Sequence, residues 1–124
     1  FSWLFNRYLA RVMNKFPQYM PDMTETHHVH KLDHPSGTAV TLAEGIIAES
    51  DRVAGWVEEA PAAADAMIVS HIRRGEVPGI HEITWESPID SISINTVPRP
   101  ARLCPWCGNG GRMACVAPWR TLDG

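Results

Sequence analysis

The sequence predicts an α+β domain: a mixed β-sheet with helices packed on one face. Three observations point to it. Apolar residues recur at helical spacing in two segments, roughly 1–16 and 37–49. Three later runs read as strands, two of them with alternating apolar and polar residues. The order is helix, strand, helix, then three strands, which segregates the helices from most of the sheet.

In the first segment Phe1, Leu4, Phe5, Tyr8, Leu9, Val12, Met13 and Phe16 follow helical spacing, with Asn6, Arg7, Arg11 and Asn14 between them. We expect this stripe to be core. Pro17 should end the helix, since it disfavours helical geometry in the residue before it and lacks an amide hydrogen. Residues 22–31 read as a strand running into a loop. A second helix should run from about Gly37 to Glu49, burying Ala39, Leu42, Ala43, Ile46 and Ile47, with Ser36 or Thr38 as its cap. Asp51 to Asp65 is rich in alanine and glutamate with little period, and reads as a variable surface connection. Met67–Ile72, Ile80–Glu86 and Ser91–Thr96 are the three strand runs. The connections RRGEVPG and Ser-Pro-Ile-Asp have turn chemistry. Ile83 with Trp85, and Ile92 with Ile94, alternate with polar residues as in an antiparallel sheet buried on one face.

The 124 residues suffice for one domain with a real core. Hydrophobic residues make up 44% and charged residues 20%, a globular rather than disordered balance. A formal net charge of -3 argues against a general nucleic-acid binder. No apolar run approaches the roughly 18 residues of a membrane span, and no basic-then-apolar pattern at the start leads us to expect a signal peptide. The three cysteines, Cys104, Cys107 and Cys115, all fall within the last 21 residues. That is poor support for a disulfide framework and fits a reduced, cytoplasmic setting. The start at Phe1, already inside a periodic segment, leads us to expect a piece of a longer protein.

The chemistry concentrates in Glu25 to Ala39, ETHHVHKLDHPSGTA. Metal binding needs converging neutral imidazoles. His27 and His28 are adjacent and would face opposite sides of a strand, and no H-E-x-x-H spacing occurs, so we expect no metal here. Solvated loop histidines without a task are a second reading. The third uses the whole cluster. Histidine is the default proton carrier near neutral pH, Lys31 adds a donor and a positive charge, and Gly37 and Thr38 stand at a helix start whose free amides attract an anion. Proton donors beside an anion cradle point to an acidic small molecule and leave the reaction open.

This stretch resembles the signature E-x-H-H-x-x-K-x-D-x-P-S-G-T-A of the dihydrodipicolinate reductase family, also called 4-hydroxy-tetrahydrodipicolinate reductases, and matches every specified position. The preceding NRYLARVMNKFPQY is similar to the family's inter-domain helix, and Arg73-x-Gly75-x-x-x-Gly79-x-His81 to its strand connection. The resemblance covers most of Asn6 to Thr96. It implies that His27 is the general acid protonating the substrate ring and Lys31 a second donor. It gives His28, Gly37 and Thr38 the substrate carboxylates. It further implies NADH- or NADPH-dependent reduction of an unsaturated dicarboxylate heterocycle toward diaminopimelate and lysine, the cofactor being bound mainly by an N-terminal domain, and a cytoplasmic homotetramer formed by pairing sheets.

Two departures stand out. The family's glycine-rich nucleotide turn is not in these residues, and Gly108-Asn109-Gly110-Gly111 does not replace it. We therefore expect residues 1–97 to be an incomplete substrate-binding and oligomerisation domain whose isolated form does not transfer hydride. The second departure is the tail from residue 98, where the family continues with a G-F-A-x-G-A helix. Plausible codons for Arg102 to Ala114, read one base later, give Gly-Phe-Ala-Leu-Gly-Ala-Val-Thr-Ala-Ala-Glu-Trp-Leu. We read residues 98–124 as an aberrant, frameshifted tail, with the shift near Val97 or Pro98, and the nucleotide sequence decides it. Asn95 stands where the family usually has a histidine. Two rival readings remain: a small zinc or redox module using Cys104, Cys107 and Cys115, and a non-catalytic assembly domain that only pairs sheets.

Overall fold

The computed structural model describes residues 1–99, and the expectations for the tail and its cysteines lie outside them. Seven elements follow in order: α1 (Ser2–Met13), β1 (Met20–His27), α2 (Gly37–Glu49), β2 (Gly55–Val57), β3 (Ala66–Arg73), β4 (Ile80–Glu86) and β5 (Ser91–Thr96). The strands form one mixed sheet in the order β2-β3-β1-β4-β5. β1 runs parallel to β3, with Met23 beside Val69, and antiparallel to β4, with Met23 beside Ile83. β2 is parallel to β3, and β5 is antiparallel to β4. The fold is the α+β arrangement the sequence predicts.

One face of the sheet carries the core. Met23, Met67, Val69, Ile83 and Trp85 meet Leu42, Ala43 and Ile46 of α2, with Ala10 and Met13 of α1 in the same cluster. The other face presents hydroxyls such as Thr84 and Ser93, whose side-chain oxygens lie 2.9 Å apart. α2 has the bounds its periodicity predicts, and Ser36 is the cap: its Oγ accepts from the Ala39 amide at 3.2 Å.

Four expectations need correction. The aromatic stripe of α1 is not core: Phe1 is 90% exposed, and Leu4, Phe5, Tyr8 and Phe16 are exposed as well. Of the predicted stripe Met13 is buried and Leu9 packs against the core, and the rest of the buried face is Asn6 and Ala10. Small and polar residues win there because α1 lies close on α2. A Cβ on Gly45 would sit 3.1 Å from Arg7 Cγ, and Asn6 Nδ2 donates to the Leu42 carbonyl at 3.0 Å. Periodicity marks an apolar stripe without saying which face finds a partner. Second, α1 ends at Met13, before Pro17 acts. The Arg52 guanidinium collects the carbonyls beyond it, donating to Met13 at 3.0 Å and Tyr19 at 2.9 Å. Third, the supposed surface connection 51–65 contains β2, too short for a periodic signal. RRGEVPG turns as its residues indicate, but the two strands it connects are not neighbours in the sheet. β1 lies between β3 and β4, so this segment crosses over the end of β1. Fourth, on β5, an edge strand, Ile92 is exposed rather than buried.

α1 and α2 are also tied by charge. Glu49 accepts from Arg7 at 2.7 Å and from Arg11 at 3.1 Å. The Arg11 and then the Arg7 hydrogen bonds hold its carboxyl at about 2, down from 4.5. A lowered folded value gives stability that is present above about 4.5 and is lost as pH falls toward 2. We expect the chain to be more resistant to urea than Glu49→Gln at pH 7 and the two midpoints to converge by pH 2. A constant gap across that range would contradict the assignment.

Candidate active site

Every second residue of β1 faces the core, and along that face Pro21 and Met23 give way to Glu25 and His27. The neighbouring strands change character at the same level. Glu25 lies in register with His71 on β3 and His81 on β4, and His27 with Arg73. One end of the covered face is thus a buried polar layer.

Glu25 is at its centre, fully buried. One carboxylate oxygen accepts from Arg73 at 3.0 Å, and the other meets Nδ1 of His27. Burial is the strongest single influence and pushes this carboxyl up. The Arg73 hydrogen bond and the charges of His27 and Arg73 together outweigh it and hold the group below its usual range. Arg73 also donates to the carbonyls of Lys31 at 3.1 Å and Asp33 at 2.7 Å. A single guanidinium therefore fixes both the carboxylate behind His27 and the loop carrying Lys31.

His81 packs edge-on against His27, ring centroids 5.3 Å apart, and its Nε2 lies 3.2 Å from Ser36 Oγ. Burial first, then the charge of His27, keeps the His81 imidazole below its ordinary range, which favours the neutral ring. Through His81 and Ser36, His27 is linked to the start of α2. Ser36 satisfies the Ala39 amide, while helix geometry leaves the amides of Gly37 and Thr38 without acceptors inside the helix. Both residues are exposed.

The crossing segment completes the site. The Arg74 amide donates to the His27 carbonyl at 2.9 Å and the Val29 amide to the Gly75 carbonyl at 3.1 Å. Gly79, at φ +136°, lies against the His27 ring: a Cβ there would sit 2.8 Å from Nε2. Only glycine permits both that backbone conformation and that approach.

The structure thus brings His27, the Lys31 loop and the Gly37–Thr38 turn together. The Lys31 ammonium is half-buried and pairs with Asp33 at 3.0 Å. His28 follows the end of β1, half-buried, its ring 5.9 Å from that of His30. His30 itself pairs with Glu76 at 3.2 Å. Reasoning from the sequence missed Glu25, Arg73, His81 and Gly79 as site residues. Their signal was present in the R-x-G-x-x-x-G-x-H pattern and in two polar residues at core-facing positions of β1. Spacing spoke against a metal on His27, His28 and His30. The groups that converge are instead Glu25, His27 and His81, their candidate ligand atoms within 4.8 Å of one another. Arg73 already supplies the positive charge that Glu25 needs and opposes a second cation there.

Comparisons with known proteins agree with this architecture. The family model described as dihydrodipicolinate reductase, C-terminus, matches residues 2–98. The 4-hydroxy-tetrahydrodipicolinate reductase of Christiangramia forsetii is 43% identical over 90 residues, covering 72% of this chain and 37% of the relative. The enzyme of that name from Rickettsia rickettsii is 39% identical over 89 residues, covering 70% of this chain and 37% of the relative. The chain therefore spans little more than a third of these relatives. A solved structure, the dipicolinate-bound dihydrodipicolinate reductase from Paenisporosarcina sp. TG-14, shares the fold. Its TM-score is 0.62 at 21% identity, over 79% of this chain and 39% of that one. With the family model matched across nearly all the described residues, this chain belongs to the dihydrodipicolinate reductase family, in the region of its C-terminal domain.

Proposed function

We propose that this chain is the dicarboxylate-holding, proton-donating part of a 4-hydroxy-tetrahydrodipicolinate reductase, acting in the route to diaminopimelate and lysine. The observation that carries the reading is the Arg73–Glu25–His27 arrangement beside the open first turn of α2. Glu25 favours a proton on Nδ1 of His27 and fixes the ring, leaving Nε2 to exchange a proton with substrate. The Gly37 and Thr38 amides, the helix dipole, His28 and the Lys31 ammonium are suited to two carboxylates. Lys31 is also the second proton donor. The relatives' shared name and the dipicolinate held by the structural neighbour support this ligand class.

The described residues do not fit a dinucleotide. β1 reaches α2 through a long loop, residues 28–36, and not through the tight glycine-rich turn that cradles a pyrophosphate. We therefore assign this chain binding and proton transfer. The hydride belongs to NADH or NADPH held by residues other than these, as the family resemblance implies. The same resemblance underlies our placing the protein in the cytoplasm as a homotetramer. The hydroxyls of Thr84 and Ser93 lie on a sheet face suited to pairing between subunits, and no helix among the described residues is long and apolar enough to cross a membrane.

Calorimetry with pyridine-2,6-dicarboxylate tests the reading. We expect saturable binding by the chain, weakened at least about tenfold by His28→Ala and by Lys31→Ala, the scale of losing one charged hydrogen bond. Binding indifferent to both changes, or no binding, would favour a domain that only assembles.

A further inference from the structure

A second cluster of ligating side chains lies outside the Glu25–His27–His81 group. His34 comes from the loop between β1 and α2, Glu58 directly follows β2, and His71 is on β3. Nδ1 of His34 lies 2.8 Å from Oε2 of Glu58, and Nδ1 of His71 lies 3.7 Å from the same oxygen. One candidate ligand atom from each of the three falls within 4.8 Å of the others. His71 Nδ1 is shielded from solvent and has no hydrogen-bond partner among the described residues. A shielded nitrogen without a partner is an unmet demand that a cation can satisfy. His34 occupies an unspecified position of the family signature, so this cluster is not part of the substrate motif.

We propose that His34, Glu58 and His71 form a binding site for a divalent first-row transition ion of the zinc class. Two imidazoles and one carboxylate are the donor set such borderline ions take, with bonds of roughly 2.0–2.2 Å. Ligand atoms on one such ion stand about 3–3.5 Å apart, since bonds of that length meet at near-tetrahedral angles. The observed 2.8 and 3.7 Å bracket that spacing. One adjustment is needed. The two rings are stacked with centroids 4.0 Å apart and planes at 15°, whereas a shared ion lies in the plane of each imidazole. His34 is exposed on its loop and can turn its ring, while His71 is held in β3. The site opens beside a cleft lined by Glu58, Glu59, Ala60 and His71, which gives water access to the remaining coordination positions. An ion here would fasten the loop bearing Lys31 and Ser36 to the β2–β3 edge of the sheet.

Zinc titration by calorimetry tests this, on the full chain with Cys104, Cys107 and Cys115 changed to serine so that thiolates do not compete. We expect one equivalent bound. His71→Ala and Glu58→Gln should each weaken it at least tenfold, with circular dichroism unchanged, and His27→Ala should leave it as it was. Affinity unmoved by His71→Ala and Glu58→Gln, no zinc binding at all, or affinity lost in His27→Ala would overturn the site. Pyridine-2,6-dicarboxylate binding, measured separately in metal-free buffer, keeps a failure here distinct from a failure of the substrate site.

Discussion

Changing Glu25 to alanine is expected to lower the unfolding free energy by about 3 kcal/mol and to abolish pyridine-dicarboxylate binding. The carboxylate is fully buried, and its oxygens face Arg73 and His27. Removing it strands a guanidinium and an imidazole that were oriented by it. Breaking a buried pair typically costs about 3–5 kcal/mol, and we take the lower end because the Arg73 side chain is 17% exposed and can rehydrate. The double variant Glu25→Leu with Arg73→Leu separates charge from shape. With no stranded charge it should recover part of the lost stability, yet it should not bind the dicarboxylate. A loss in the double variant equal to the sum of the losses in Glu25→Leu and Arg73→Leu alone would show that the pair is not coupled.

Gly79→Ala should produce the second large effect. At φ +136° an L-residue is strained, at a cost of about 1–3 kcal/mol. The new methyl would also lie 2.8 Å from His27 Nε2 and 3.1 Å from Cδ2. The ring cannot retreat freely, since Glu25 holds Nδ1 and His81 packs against it. We expect reduced stability together with a displaced His27 and loss of dicarboxylate binding. Gly75→Ala is the control. Its φ of +48° also carries strain, but nothing lies within 4 Å of the added Cβ. That variant should lose stability and keep binding. Equal binding by Gly79→Ala and the unaltered chain would remove the role we give this glycine.

Much of the fold was legible because its strongest signals are local. α2 begins at its Ser36 cap and ends at Glu49 as periodicity and capping chemistry indicate. β4 and β5 follow their apolar runs. The failures share a physical cause. The aromatic stripe of α1 is a true helical stripe, but burial depends on which face another element approaches, and Asn6, Ala10 and Gly45 allow the closer contact. β2 has three residues and exists by pairing with β3, so no local pattern announces it.

The candidate site divides in the same way. By itself, the sequence determined the chemical inventory: a histidine and a lysine able to carry protons, a capped helix start able to attract anions, and the family motif that joins them. Only the tertiary structure decided how that inventory is wired. β1 inserts between β3 and β4, so Arg73, Gly79 and His81, some fifty residues downstream, close around the end of the strand that carries Glu25 and His27. Strand order is set by long-range pairing and burial, which no spacing within a short segment encodes.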